Sequence, residues 1–240
     1  MIYNQHEYDI RMEWGLKGVE ELAPISDVII IVDVLSFSTC VDIATSRGAF
    51  IYPYQWKNET AIEYAKNVGA ILADFKRKYT DGFSLSPTSL THITPHQKLV
   101  LPSPNGATLS LTTGNTPTLC GCLRNAKAVA NFAKKYGKKI SIIAAGEQWQ
   151  DNSLRVSLED VIGAGAIISY LEDRLSPESK ASLAIFKSSQ ETLLSDIKEC
   201  SSGKELIARG FEKDVLLASD FNISNCVPVL RNGYFENGNI

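Results

Sequence analysis

Apolar positions follow two rhythms along this chain. Short β-branched runs read as strands, and between them apolar residues recur every three or four positions, as helices require. The run Val28 to Val32 has no polar interruption and predicts a strand covered on both faces, central to an α/β sheet. Further strands are expected over residues 7–14 (on a sheet edge or beside the 28–34 strand), 50–53, 70–73, 98–102, 118–122 and 139–145. Helices are expected from Ser38 to Arg47 ahead of Gly48, from an Asn58 cap to Gly69, briefly after Gly106, after Asn125, and from Ser157 through Leu175.

Strands alternating with helices up to Ala145 predict an α/β fold, a central sheet between helical layers. Beyond Pro177 the pattern is almost wholly helical, so residues 176–220 are expected as a helical segment packed on a single domain of residues 1–240. Ser176-Pro177 starts a helix, and Ser202 with Glu205 has the spacing of a capping box. Val227 to Leu230 is expected as a short edge strand before a polar tail. Lys76 to His96, polar and interrupted by Gly82, Pro87 and Pro95, is the longest expected loop.

Chemistry gathers where strands end. Asp33 closes the 28–32 run and is followed by Ser36, Ser38 and Thr39; Ser103 leads into Asn105-Gly106; Arg124-Asn125 and Gly146-Glu147 follow two further strands. A helix is expected just after each. Ligands in open α/β sheets sit outside the carboxyl ends of strands, and helix N-termini there offer free N–H groups to anions. Gly106 permits close backbone approach, and the Asn105 amide both caps and donates. Asp33, Glu147, Glu159 and Asp160 form the acidic set; Mg²⁺ needs only one or two carboxylates beside waters and substrate oxygens. Ser157-Leu-Glu-Asp160 also reads as a capping box. Neighbouring helical residues diverge by ~100°, so the helix alone leaves open whether Glu159 or Asp160 faces inward.

Composition narrows the possible partners. The formal charge is −3, with Lys and Arg scattered rather than blocked, which argues against a nucleic-acid surface. No apolar run approaches the ~20 residues of a membrane span. Five cysteines, mostly far apart, fit a reduced, cytoplasmic setting; Cys120-Gly-Cys122 lacks a second ligand pair and is expected as a buried pair. Homo-oligomerisation is compatible with this composition.

Several segments occur together in one order: Val-Asp33-Val-Leu-Ser-Phe-Ser-Thr39, Ser84-Leu-Ser-Pro87, Pro102-Ser-Pro-Asn105-Gly106, Arg124-Asn125-Ala-Lys-Ala-Val-Ala130, Ala145-Gly146-Glu147 and Glu159-Asp160-Val-Ile-Gly-Ala-Gly165. Together they resemble the 2-phosphosulfolactate phosphatase family from about Ile30 to about Gly165, with a tail, Gly210 to Gly233, that is also similar. The resemblance implies a three-layer α/β/α fold with a mixed sheet and Mg²⁺-dependent hydrolysis of a small anionic substrate, 2-phosphosulfolactate, to sulfolactate and phosphate, serving coenzyme M biosynthesis. On this reading Asp33 and Glu147 are catalytic and, with Glu159 or Asp160, hold the ion, and Asp33 is open to either role, metal ligand or nucleophile. Ser36, Ser38, Thr39, Ser103, Asn105, Gly106, Arg124 and Asn125 bind the substrate. Two departures bear on the substrate: Ser36 stands where the family pattern has Arg, and Ser84-Leu85-Ser86-Pro87 where it has G-N-S-P. Arg124 or Arg155 is expected to restore the charge. The second reading is a non-catalytic binder of a small dianion that keeps the helix N-termini and has lost turnover.

Overall fold

A computed structural model describes residues 2–239. The chain runs β1 (Ile10–Trp14), α1 (Gly15–Leu22), β2 (Val28–Val32), α2 (Phe37–Ser46), β3 (Phe50–Tyr54), α3 (Glu59–Val68), β4 (Ile71–Leu72), β5 (Lys98–Pro102), α4 (Gly106–Thr112), β6 (Thr118–Gly121) and α5 (Ala126–Ala133). It continues through β7 (Ile140–Ala144), β8 (Glu147–Gln148), β9 (Leu154–Arg155), α6 (Leu158–Ile168), α7 (Pro177–Ser189), α8 (Leu193–Glu199), α9 (Ser201–Ala208), α10 (Glu212–Ser219), β10 (Pro228–Arg231) and β11 (Tyr234–Asn237). The fold is α/β, as the alternation predicts, with a large mixed sheet, as the resemblance implies.

Nine strands form the sheet in the order β1-β7-β2-β6-β10-β11-β3-β5-β4. Two parallel blocks, β1-β7-β2-β6 and β3-β5-β4, are joined by the antiparallel hairpin β10–β11. All five residues of β2 are fully buried, the outcome expected of an all-aliphatic central strand. In a flat sheet the three antiparallel steps between β2 and β5 would send their carboxyl ends to opposite edges. Each step twists the sheet by roughly 20–25°, so five steps turn β5 by about 100–125° relative to β2, and the two carboxyl ends swing towards each other. They meet: the Gly106 N–H donates to Asp33 Oδ2 at 2.9 Å. Inside the curl lies α2, buried from Phe37 through Thr45, whose Phe37, Val41 and Ala44 pack with Ile51, Leu99 and Phe235.

On the opposite face, α5 and α6 pack against β1, β2, β6 and β7, and Phe186, Leu193, Ile197, Leu206 and Val215 of α7–α10 join the same core. Among the described residues no helix is long and apolar enough to cross a membrane. All five cysteines are buried and free.

Several local expectations are corrected. Residues 7–14 do supply a strand, and β1 takes the sheet edge, separated from β2 by β7. The helix after Ser157 ends at Ile168 rather than Leu175: tight bonds from the Tyr170 and Leu171 N–H groups to Ile167 and Ile168 close it, and Leu175 then runs beside Ile10. Ser202 lies inside α9, whose cap is the Cys200 sulfur, accepting from the Gly203 N–H. The expected edge strand near Val227 is an inner strand, because the expected polar tail forms β11 and pairs with both β10 and β3. Pro228 is tolerated there as the first residue of its strand. The long loop is partly ordered by a 3-10 segment, Pro87–His92, and buries Ser84, Ser86 and Ser89.

Candidate active site

Asp33 ends β2 and is buried. Its backbone N–H donates to Ser38 Oγ at 2.9 Å, Oδ1 accepts from the Phe37 N–H at 3.0 Å, and Oδ2 accepts from Gly106. One carboxylate thus bridges the first turns of α2 and α4. Gly106 is required by this approach: a Cβ there would stand 2.8 Å from Asp33 Oδ2 and would clash with the Phe37 ring. Burial raises the Asp33 pKa from 3.8 to about 6; the two N–H donors oppose the shift, and the nearby Glu147 and Glu159 charges add to it.

Glu147 lies at the second corner. No helix follows it directly, contrary to expectation; Gly146, with φ +69°, turns the chain into the hairpin β8–β9, which pairs Glu147 with Arg155. Asn105 Nδ2 donates to Glu147 Oε2 at 3.0 Å. Burial pushes the Glu147 pKa up, while the Asn105 bond and the Arg155 charge pull it down. Asp160 is fixed differently. Its two oxygens accept from the Val34 N–H at 2.7 Å and the Gly146 N–H at 2.8 Å, which locks the loops after β2 and β7 together. The expected capping box does not form: Ser157 Oγ is buried with no hydrogen-bond partner. Burial, with Glu159 and Asp33 close by, drives the Asp160 pKa well up.

A cavity of about 330 Å³ opens over these ends. Asp33, Ser36, Ser103, Asn105 and Glu147 line it from the strand ends, and Leu35, Phe75, Leu85 and Leu206 give it an apolar share. Four cations reach it from elsewhere: Lys57 after β3, Arg77 from the long loop, Arg155 from β9 and Arg209 just past α9. Arg77 is the most fixed, with Nη1 donating to Asp214 Oδ2 at 2.6 Å and Nη2 to Ser36 Oγ at 3.0 Å. Two carboxylates raised by burial, an amide, a hydroxyl and several guanidinium groups around one polar hollow are suited to an oxyanion such as a phosphoryl group.

Residues 17–233 match the family described as 2-phosphosulpholactate phosphatase. A probable 2-phosphosulfolactate phosphatase from Carboxydothermus hydrogenoformans is 30% identical over 94% of this chain and 92% of its own length. The 2-phosphosulfolactate phosphatase of Methanothermobacter thermautotrophicus is 28% identical over 88% of this chain and 90% of its own, and a probable one from Thermotoga maritima is 28% identical over 89% and 95%. The chain belongs to the 2-phosphosulfolactate phosphatase family.

Within this family member the expected site residues divide. Asp33, Glu147, Ser36, Ser103 and Asn105 line one cavity, and Gly106 binds Asp33 from its rim. Arg124 and Asn125 lie elsewhere. Arg124 donates to Asp42 at 3.0 Å and to Asp220 at 2.8 Å, and Asn125 is buried, accepting from the Cys122 N–H. Ser38 and Thr39 point their hydroxyls at the Ile31 and Val34 carbonyls, steadying the turn that carries Asp33. Arg155, expected as one source of the missing charge, does line the cavity; Lys57, Arg77 and Arg209 were not anticipated. Both departures from the family pattern, Ser36 and Leu85, fall on the cavity wall.

Among the described residues no three His, Cys, Asp or Glu side chains converge as a ready-made metal cage. Glu159 and Asp160 are both buried outside the cavity lining. Asp33 and Glu147 remain, two oxygen-donor carboxylates held near each other against their own repulsion. That set fits a hard dication completing its shell with water and substrate oxygens.

Proposed function

We propose that this chain hydrolyses a small phosphomonoester carrying a further acidic group, 2-phosphosulfolactate or a related phosphorylated acid, with Mg²⁺. One observation carries the reading: Asp33 and Glu147, both raised by burial, share a cavity with four Lys and Arg side chains. Family membership supports it. Asp33 and Glu147 would hold the ion, whose chemistry is to polarise a phosphoryl oxygen and gather the attacking water.

The chain's own groups do the rest. The Asn105 amide fixes the Glu147 carboxylate, and Arg155 beside it offsets charge on the phosphoryl oxygens. Ser103 supplies a hydroxyl donor. These dipoles and charges are in place before substrate arrives, so they stabilise the equatorial charge of a loose transition state without reorganising. Leu35, Phe75, Leu85 and Leu206 limit bulk water, which strengthens each electrostatic contact.

The test is release of inorganic phosphate from a panel of phosphorylated hydroxy acids, with added Mg²⁺ or with EDTA. Release that EDTA abolishes and Mg²⁺ restores is expected. Release indifferent to EDTA would remove the metal from the reading. Thermal stabilisation by the same compounds without any release would replace the enzyme by a dianion-binding protein.

A further inference from the structure

The cavity's four cations differ in how far the protein has already fixed them. Arg209 pairs with Glu205 at 2.9 Å, but both side chains are more than half exposed (53% and 63%). Lys57 is exposed. Arg155 faces Glu147 across the hairpin and donates to Ser202 Oγ at 3.2 Å. Arg77 is the exception: its side chain is only 10% exposed, it is anchored at both Nη atoms, and its guanidinium lies 5.6 Å from the Phe211 ring centre.

The anchor leaves donors free. Asp214 is fully buried and also accepts from Ser86 Oγ at 2.7 Å and the Thr88 N–H at 3.0 Å, so the carboxylate that orients Arg77 is itself held in place. A guanidinium has five N–H groups, and the Asp214 and Ser36 bonds use two of them. Ser36 Oγ accepts from Arg77 and keeps its own proton to donate. Arg77 and Ser36 therefore offer a guanidinium and a hydroxyl side by side on the cavity wall. Neither bonds to the Asp33–Glu147–Asn105 group, and Leu35, Phe75 and Leu85 also line the cavity, apolar surface suited to a short carbon chain.

We propose that Arg77 and Ser36 bind the second anionic group of the substrate, a carboxylate or sulfonate on the alcohol half of the ester, and so select phosphorylated acids over simple phosphomonoesters. This assignment rests on the hydrolase reading above. Oriented guanidinium forks match either group, and Asp214 acts as the positioning residue that holds the fork.

Three esters separate the possibilities: p-nitrophenyl phosphate with no second acid, 2-phospholactate with a carboxylate, and 2-phosphosulfolactate with a carboxylate and a sulfonate. Arg77→Ala is expected to raise KM about tenfold or more for the acid-bearing esters, with kcat within about threefold, and to leave p-nitrophenyl phosphate within about threefold. A loss confined to 2-phosphosulfolactate assigns the sulfonate; a loss on both acids assigns the carboxylate. Arg77→Lys should fall between, since it keeps charge but not the fork. Equal losses on all three esters, or none on any, would overturn the proposal. Should Arg77→Ala fail to fold, Ser36→Ala leaves the Arg77–Asp214 pair intact and should raise KM for the acid-bearing esters about fivefold, with p-nitrophenyl phosphate within about 1.5-fold. A separate arm needs no turnover: sulfolactate, the product acid, should raise the Tm of the wild type and not of Arg77→Ala. If no ester is hydrolysed, the hydrolase reading fails, and this arm alone decides Arg77: selective stabilisation of the wild type sustains the binding assignment, and equal or absent stabilisation ends it.

Discussion

The acidic and cationic sides of the cavity are built in different ways. Asp33, Ser103 and Asn105 hang from or just beyond the ends of β2 and β5, and Glu147 opens β8 after a two-residue link from β7. Of the cations, Arg77 and Arg209 come from the long loop and the segment past α9, and only Arg155 sits in a strand, the two-residue β9. The acidic side is positioned by sheet geometry; the cationic side is positioned by side-chain contacts such as Arg77–Asp214. An aspartate at a strand end is held by backbone that cannot move without the core, whereas an arginine on a loop is only as fixed as its partners. Chemistry at the phosphorus suits the first kind of support, and tuning to one substrate suits the second.

Substitutions can break or sharpen that contrast. The largest effect is expected from Asp33→Asn, a fall of about 10³-fold or more in kcat/KM for phosphate release, the scale of losing an oriented charge at a reacting centre. Its fold should persist, because the amide oxygen still accepts one of the two N–H groups; full activity in this variant would deny the acidic side its role. Asp214→Ala should show the reverse balance. It strips the acceptor from Arg77, Ser86 and Thr88, and urea unfolding should show a loss of about 3–5 kcal/mol, as when one partner of a buried ion pair is removed. Gly106→Ala comes next. Its methyl group would crowd Asp33 and Phe37, with a loss of about 10²-fold in kcat and a KM for acid-bearing esters moved far less.

Acidity gives a smaller, graded signal. The Asp33 pKa is raised in the folded protein, from 3.8 to about 6, so the folded state holds this proton more tightly than the unfolded chain. Stability from this group is therefore full below about pH 3.8 and declines as pH rises through about 6. Measured in EDTA, Asp33→Asn should gain Tm relative to the wild type over that interval and hold the gain above it. A constant Tm difference from about pH 4 to 8 would contradict the shift. Least of all is expected from Arg209→Ala, within about threefold in KM, because an exposed ion pair contributes little.

The acidic side was legible in the sequence because its signals are local: an aliphatic run, then Asp33; a strand, then Ser103 to Gly106. The cationic side left no such mark. Arg77 lies in a stretch without periodicity, and its anchor Asp214 is 137 residues away. Arg124 was misread for a related reason, since a basic residue after a strand resembles an anion ligand until its partners are known. Asp42 held a usable clue: a carboxylate in the middle of α2, otherwise apolar or small, must find a cation when buried, and Arg124 is that cation. Ser157 and Asp160 satisfied a capping pattern, yet the Val34 and Gly146 N–H groups, brought close by the sheet, won the carboxylate. The inner position of β10 was hidden because β11 reads as polar; only Phe235 is fully buried among its residues.

The place of the β10–β11 hairpin has a bearing on biogenesis. It sits between the two parallel blocks, yet residues 228–237 follow every other strand in the chain. A ribosome delivers both blocks before it delivers the segment that joins them. Until then each block exposes an unpaired edge at β6 and β3, open to pairing with another nascent chain. The curl that brings Asp33 to Gly106 runs through this hairpin, so the two blocks can share one sheet only after it has been made.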